Sequence, residues 1–92
     1  MTRIVDGKTY NTDTASLVCE KNYYYNGDWI SSRDLYKTEN GTYFFAIRGN
    51  CRELYAPADK IELITEKEAK VFVEAYGNPE RYISEWGEPE EG

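Results

Sequence analysis

The chain has 92 residues, no histidine and a formal charge of −6, with 40% apolar and 15% aromatic residues. That length makes one domain with a small core, because only about 60–65% of the unfolded surface is buried on folding at this size. The missing histidine excludes hydrolysis through a Ser-His or Cys-His pair, and no apolar run approaches the roughly 18 residues of a membrane span.

Met1-Thr2-Arg3-Ile4-Val5-Asp6 reaches a charge before a signal-peptide apolar region can form, which predicts a cytoplasmic protein. In a reducing compartment Cys19 and Cys51 are expected as free thiols, and without histidine they are too few to hold zinc. Asp6-Gly7 between short β-prone pieces predicts a miniature hairpin over Ile4 to Tyr10. Asn11 to Thr14 suits a turn or a single helical turn, because its short polar side chains bond to nearby backbone amides.

Ser16 to Tyr25 reads as a strand, ended by the turn residues Asn26-Gly27-Asp28. Tyr23-Tyr24-Tyr25 alternate in direction along it, so at least one of them must point away from the core. Trp29 to Arg33 reads as a connection. Asn40-Gly41 between Leu35-Tyr36-Lys37-Thr38 and Thr42-Tyr43-Phe44-Phe45-Ala46-Ile47 predicts a second hairpin with a two-residue type I′ turn. That turn sets Thr38 opposite Tyr43, Lys37 opposite Phe44 and Tyr36 opposite Phe45. Tyr36, Thr38, Tyr43, Phe45 and Ile47 then share one face, and Leu35, Lys37, Phe44 and Ala46 the other. Large apolar groups on both faces place this hairpin inside the sheet.

Gly49-Asn50 closes that strand, and Glu53 to Asp59, with Pro57, reads as a loop. Lys60 to Ile64 alternates as a strand with one wetter face. Thr65 and Glu68 have capping-box spacing, and Ala69, Phe72, Val73 and Tyr76 follow as one helical stripe that Gly77 should end. Glu66, Lys70 and Glu74 lie four apart on its outer side. Asn78-Pro79 opens a second short helix to Trp86, with Tyr82, Ile83 and Trp86 as its buried side and Gly87 as its stop. The expected fold is α+β: a small antiparallel meander of about four strands, packed by a C-terminal helix and a second short helix. Residues 1–87 form the single domain and residues 88–92 a flexible acidic tail.

Charge divides sharply along the chain. Met1 to Arg52 holds seven basic and six acidic residues, whereas Glu53 onward holds eleven acidic and four basic ones. A surplus of −7 in the second part argues against a reader of duplex DNA, which must neutralise phosphates. No phosphate loop or dinucleotide fingerprint is present, so no cofactor is expected.

Three separated pieces carry a family likeness: Gly7-Lys8-Thr9-Tyr10-Asn11-Thr12-Asp13-Thr14-Ala15; Leu35-Tyr36-Lys37-Thr38 with Gly41-Thr42-Tyr43-Phe44; and Lys60-Ile61-Glu62-Leu63-Ile64-Thr65 leading into Ala69. Together they resemble a family of short proteins from phages and other mobile elements, some of which look like anti-CRISPR proteins. The chain departs from that pattern at Ile47-Arg48-Gly49-Asn50-Cys51, where relatives tend to carry more glycine.

The resemblance implies a non-enzymatic inhibitor in the cytoplasm of a bacterial host, binding a Cas or other nucleic-acid-handling complex. Its partner would be a host protein or ribonucleoprotein with a basic surface, since acidic patches compete with phosphate for such grooves. The expected contacts are Glu62, Glu74, Glu80 and Glu85, with Tyr25 and Trp29 as aromatic anchors. Two other readings stand beside it. One is a single-strand nucleic-acid binder that stacks bases on sheet aromatics near Lys21, Arg33, Lys37 and Arg48. The other is a self-associating module, such as a homodimer, joined through a strand edge or the tyrosines.

Overall fold

A computed structural model describes residues 1–49 and 59–92. Cys51, Asn50 and most of the loop expected from Glu53 to Asp59 lie outside these residues. The elements are β1 (Thr2–Val5), β2 (Lys8–Asn11), β3 (Ser16–Tyr25), β4 (Asp28–Lys37), β5 (Tyr43–Gly49), β6 (Lys60–Ile64), α1 (Glu66–Tyr76) and α2 (Pro79–Trp86). The fold is α+β. β3-β4-β5-β6 form an antiparallel meander in that order, and β1-β2 form a separate hairpin.

Of the three hairpin turns among the described residues, two are made by adjacent residues with positive φ. Asp6 and Gly7 lie at 51° and 76°, and Asn26 and Gly27 at 51° and 83°. This backbone matches the right-handed twist of the flanking strands, so each pair folds its chain back directly. Because the Asn26-Gly27 turn is this tight, Trp29 to Arg33 is not a connection. It belongs to β4 and pairs with β3, Tyr23 opposite Ser31 and Lys21 opposite Arg33.

The turn at Asn40-Gly41 differs from the expected one. Only Gly41 has positive φ, at 85°. Its N–H donates to the Thr38 carbonyl at 2.9 Å, while Thr38 N–H donates to the Thr42 carbonyl at 2.9 Å. The Thr38 hydroxyl also accepts from Thr42 N–H at 3.1 Å. Glu39-Asn40-Gly41 is therefore a three-residue loop, in which a left-handed glycine follows a tight turn. The added residue slips the register by one: Lys37 faces Tyr43, Tyr36 faces Phe44 and Leu35 faces Phe45. A slip of one exchanges the faces of a whole strand. Leu35 and Lys37 thus join Tyr43, Phe45 and Ile47, while Tyr36 joins Phe44. The hairpin does lie inside the sheet, as β4 and β5 are its central strands.

Both helices cover one face. α1 starts beside β6 and crosses the sheet, setting Phe72 edge-on to Phe45 at 4.8 Å. At its end a Cβ on Gly77 would meet the Val73 carbonyl at 2.9 Å and Cys19 Sγ at 3.4 Å. Gly77 has extended backbone at φ −88°, so α1 ends in glycine because of close packing rather than a left-handed cap. α2 then returns over the sheet. Tyr82 and Trp86 pack against the buried cluster that contains Leu35, Tyr43, Phe45, Ala69 and Val73. Ile83 departs from expectation and is 40% exposed, since it lies one residue, about 100°, around the helix from Tyr82.

The other face carries Phe44, which is fully buried. Tyr36 stacks on it at 5.5 Å and Tyr10 meets it edge-on at 5.7 Å. The first hairpin thus closes this side, and burying an aromatic there contributes about 1.5–3 kcal/mol.

Candidate functional site

α1 begins at Thr65, whose hydroxyl accepts from Glu68 N–H at 3.1 Å while its own N–H donates to Glu68 Oε1 at 3.4 Å. Ala69, Phe72 and Val73 are buried and Glu74 is exposed. Tyr76 is 48% exposed, although it falls on the same helical stripe. Its ring lies edge-on to Phe72 at 5.2 Å and under Lys21 Nζ at 5.3 Å. Glu66 pairs with Lys70 at 3.4 Å, and Lys70 Nζ also lies 5.8 Å from the Trp86 ring.

α2 opens on Asn78, whose side chain accepts from Arg81 N–H at 2.9 Å. One turn on, Arg81 Nη1 donates to the Val18 carbonyl at 2.6 Å. Val18 sits in a β-bulge between Leu17 and Cys19, which brings Val18 and Cys19 together into the core. The bulge thus gives α2 an anchor on the edge strand.

The six expected contacts are not one patch. Tyr25 is 69% exposed at the end of the β3-β4 ribbon. By alternation it shares the helix-bearing face with Tyr23, whose phenol lies beside Tyr76 and is pushed up by burial and by that neighbour. Tyr25, Tyr23 and Tyr76 run along one side of the molecule, whereas Glu74, two residues and about 200° around α1 from Tyr76, faces the cleft between α1 and α2. Glu80 is exposed at the start of α2. Trp29 is half-buried and donates its Nε1 to Asn22 Oδ1 at 3.1 Å. It pairs with Tyr24, on the opposite sheet face from Tyr25. Glu62 is exposed on β6, at the far edge from β3.

Glu85 points inward. Its Oε1 accepts from the Tyr43 hydroxyl at 2.8 Å and pairs with Lys37 Nζ at 2.8 Å. Burial pushes this carboxyl up, but the Lys37 ammonium and the Tyr43 hydroxyl outweigh it and hold the group below its ordinary range. Tyr43 is driven well above the usual phenol range, by burial first and then by the carboxylate it serves. Glu85 therefore ties α2 to the sheet.

A cleft of about 280 Å³ lies between α1 and α2, lined by Val73, Glu74, Asn78, Tyr82, Ile83 and Pro89. Its apolar floor and acidic margin join Glu74 to the acidic tail. Ile83 on this cleft, and Tyr76 outside it, are exposed side chains that the helical pattern had assigned to the core. The stripe at i, i+3 and i+4 gives which side is buried, but not how far the sheet beneath extends.

On the hairpin side, Asp34 and Ser32 are buried polar residues. Asp34 faces Glu20 across the β3-β4 ladder. Burial pushes its carboxyl up, Arg48 partly offsets this, and Glu20 adds to it. Cys19 is a free buried thiol, likewise pushed up by burial. Among the described residues no three acidic or thiol side chains converge on a point where a metal ion could sit, and no helix is long and apolar enough to cross a membrane. A scan against family models and searches of curated proteins and of solved structures find no match to this chain.

Proposed function

We propose that the protein is a non-catalytic inhibitor, anti-CRISPR-like in its mode of action, that docks its acidic helical layer onto the basic surface of a host nucleic-acid-handling complex. The observation that carries this reading is the division of charge between layers. Residues 1–49, which form the first hairpin and most of the sheet, hold six basic and six acidic residues. Residues 59–92, with β6, both helices and the tail, hold ten acidic and four basic ones. The field of such a layer steers it toward a groove lined with Lys and Arg, where it competes with phosphate.

Glu74 and Glu80 are exposed on this layer, and the cleft beside Glu74 offers Ile83 and Tyr82 as apolar contact area. Tyr25 extends the surface at the ribbon end. Glu85 contributes by holding α2 in place. A base-stacking platform, by contrast, would need open aromatics on the central strands, whereas the exposed Tyr24 and Tyr25 lie at the end of the edge strand β3. Phe44 and Phe45 are buried, and the Lys37 and Arg33 charges lie over Tyr43 and Phe45 at 5.6 and 5.1 Å.

The test is affinity capture from bacterial lysate at two salt concentrations, followed by identification of what is retained. Recovery of a protein or ribonucleoprotein with a basic nucleic-acid-binding surface, weakened at the higher salt, is expected. Retention of no such partner at either salt overturns the proposal.

A further inference from the structure

The opposite flank of α1 carries a second groove, of about 410 Å³, between the helix and the sheet. Phe45 and Phe72 form its floor, and Val71, Ala75 and Tyr76 its helical wall. Val71 and Tyr76 are 56% and 48% exposed, which makes this an open apolar surface. On α1, Val71 and Ala75 lie roughly half a helical turn away from the Val73-Glu74-Gly77 side that faces α2.

Charge around this groove is opposite in sign to that of the acidic layer. Arg33 and Lys67 both line it, and neither forms an ion pair among the described residues. The Arg33 guanidinium carbon lies over Phe45, 5.1 Å from the ring centroid. A ring engages the guanidinium through its charge and takes up none of its N–H donors, which a carboxylate can then accept from. The one acidic residue in the lining, Glu68, is engaged with Thr65 at 3.2 Å. An apolar trough in which two cations, without an ion pair among the described residues, outnumber one carboxylate selects an apolar side chain flanked by acidic groups.

We infer that this groove is a docking site for a short acidic amphipathic segment of another protein, with a Leu- or Phe-like side chain over Phe45 and Phe72 and a carboxylate on Arg33. The chain's own acidic tail is not that segment in cis. It leaves α2 with Pro89 in the α1-α2 cleft, on the other flank of α1. The groove shares no lining residue with the α1-α2 cleft, so the groove and the proposed inhibitor surface can be tested separately.

The experiment uses the full-length chain and a fluorescein-labelled peptide, Glu-Leu-Phe-Asp-Glu, in fluorescence anisotropy at low salt. The control is Lys-Leu-Phe-Lys-Lys. Saturable binding of the acidic peptide alone is expected, with a loss of about tenfold or more on Arg33→Glu and on Val71→Asp, and none on Ile83→Asp. Val71 is exposed, so its variant keeps the fold. As a second readout, amide shifts of the wild-type chain on peptide addition should centre on Arg33, Phe45, Val71 and Tyr76. The inference is overturned by equal binding of the lysine peptide, by shifts centred on the α1-α2 cleft, or by no saturation up to about 1 mM peptide. Tighter binding of a peptide with the sequence Trp86-Gly87-Glu88-Pro89-Glu90-Glu91-Gly92 would also overturn it, since the occupant would then be a second copy of this chain.

Discussion

The Tyr43 hydroxyl donates a 2.8 Å hydrogen bond to Glu85 across the seam between β5 and α2, and Lys37 meets the same oxygen at 2.8 Å. One carboxylate thus joins two central strands to the last helix. Removing either partner leaves the others half-buried and short of a bond, so Tyr43→Phe or Glu85→Ala is expected to cost about 1–3 kcal/mol. Urea denaturation measures this. The double variant Tyr43→Phe/Glu85→Ala should lose about 0.5 kcal/mol or more less than the sum of the single losses, and strict additivity would show that the bond contributes nothing to the seam.

The same group sets an acid response. The carboxyl of folded Glu85 lies below its ordinary value of 4.5, so the folded state binds this proton less readily than the unfolded chain. Its stabilising contribution is therefore complete above pH 4.5 and is lost as pH falls through the lowered value. In a Trp29→Phe background, acid unfolding followed by Trp86 fluorescence should show less loss of stability below that pH in Glu85→Gln than in the parent.

Asp34 behaves with the opposite sign. Burial raises its carboxyl from 3.8, so the folded state holds the proton more readily, a benefit present at low pH and lost as pH rises through the raised value. Asp34→Asn keeps the shape without the buried charge. It should be more stable than the parent at pH 7, with the advantage shrinking as pH is lowered toward 3.8, and thermal melts at a series of pH values check this.

Gly77 joins α1 to α2 at a point with no room for a side chain, as a Cβ would stand 2.8 Å from Val73 Cγ1 and 2.9 Å from the Val73 carbonyl. Gly77→Ala is expected to destabilise by about 1–3 kcal/mol through overpacking. Gly41 has open space around it but φ 85°, so Gly41→Ala should cost about 1–2 kcal/mol by backbone strain alone. Equal stability of either variant and the parent in urea would contradict its assigned cause.

For the proposed inhibitor surface, Glu74→Lys/Glu80→Lys should abolish capture of the basic partner at physiological salt, whereas Glu62→Lys, on the far sheet edge, should leave it within about threefold. Loss of capture by the Glu62 variant as well would place the contact elsewhere. Melting temperatures of all variants separate binding from folding.

Much of this fold is legible in the chain because its punctuation is local. Asp6-Gly7 and Asn26-Gly27 dictate tight turns, Thr65 with Glu68 starts one helix, and Asn78-Pro79 starts the next. Each works through bonds among residues within four positions of one another, so no distant partner is needed. What pairs across space was decided elsewhere. The turn at Asn40-Gly41 took one residue more than its sequence suggested, and that choice alone sent Leu35 and Lys37 to the helix side and Tyr36 to Phe44. Lys37 then stood where Glu85 could reach it, turning a carboxylate that reads as surface charge into the tie for α2. Acidity of the helical layer follows from composition alone. Its separation from the Arg33 and Lys67 groove on the opposite flank of α1 arises only when the helix is laid across the sheet, since packing decides which side of a helix is covered.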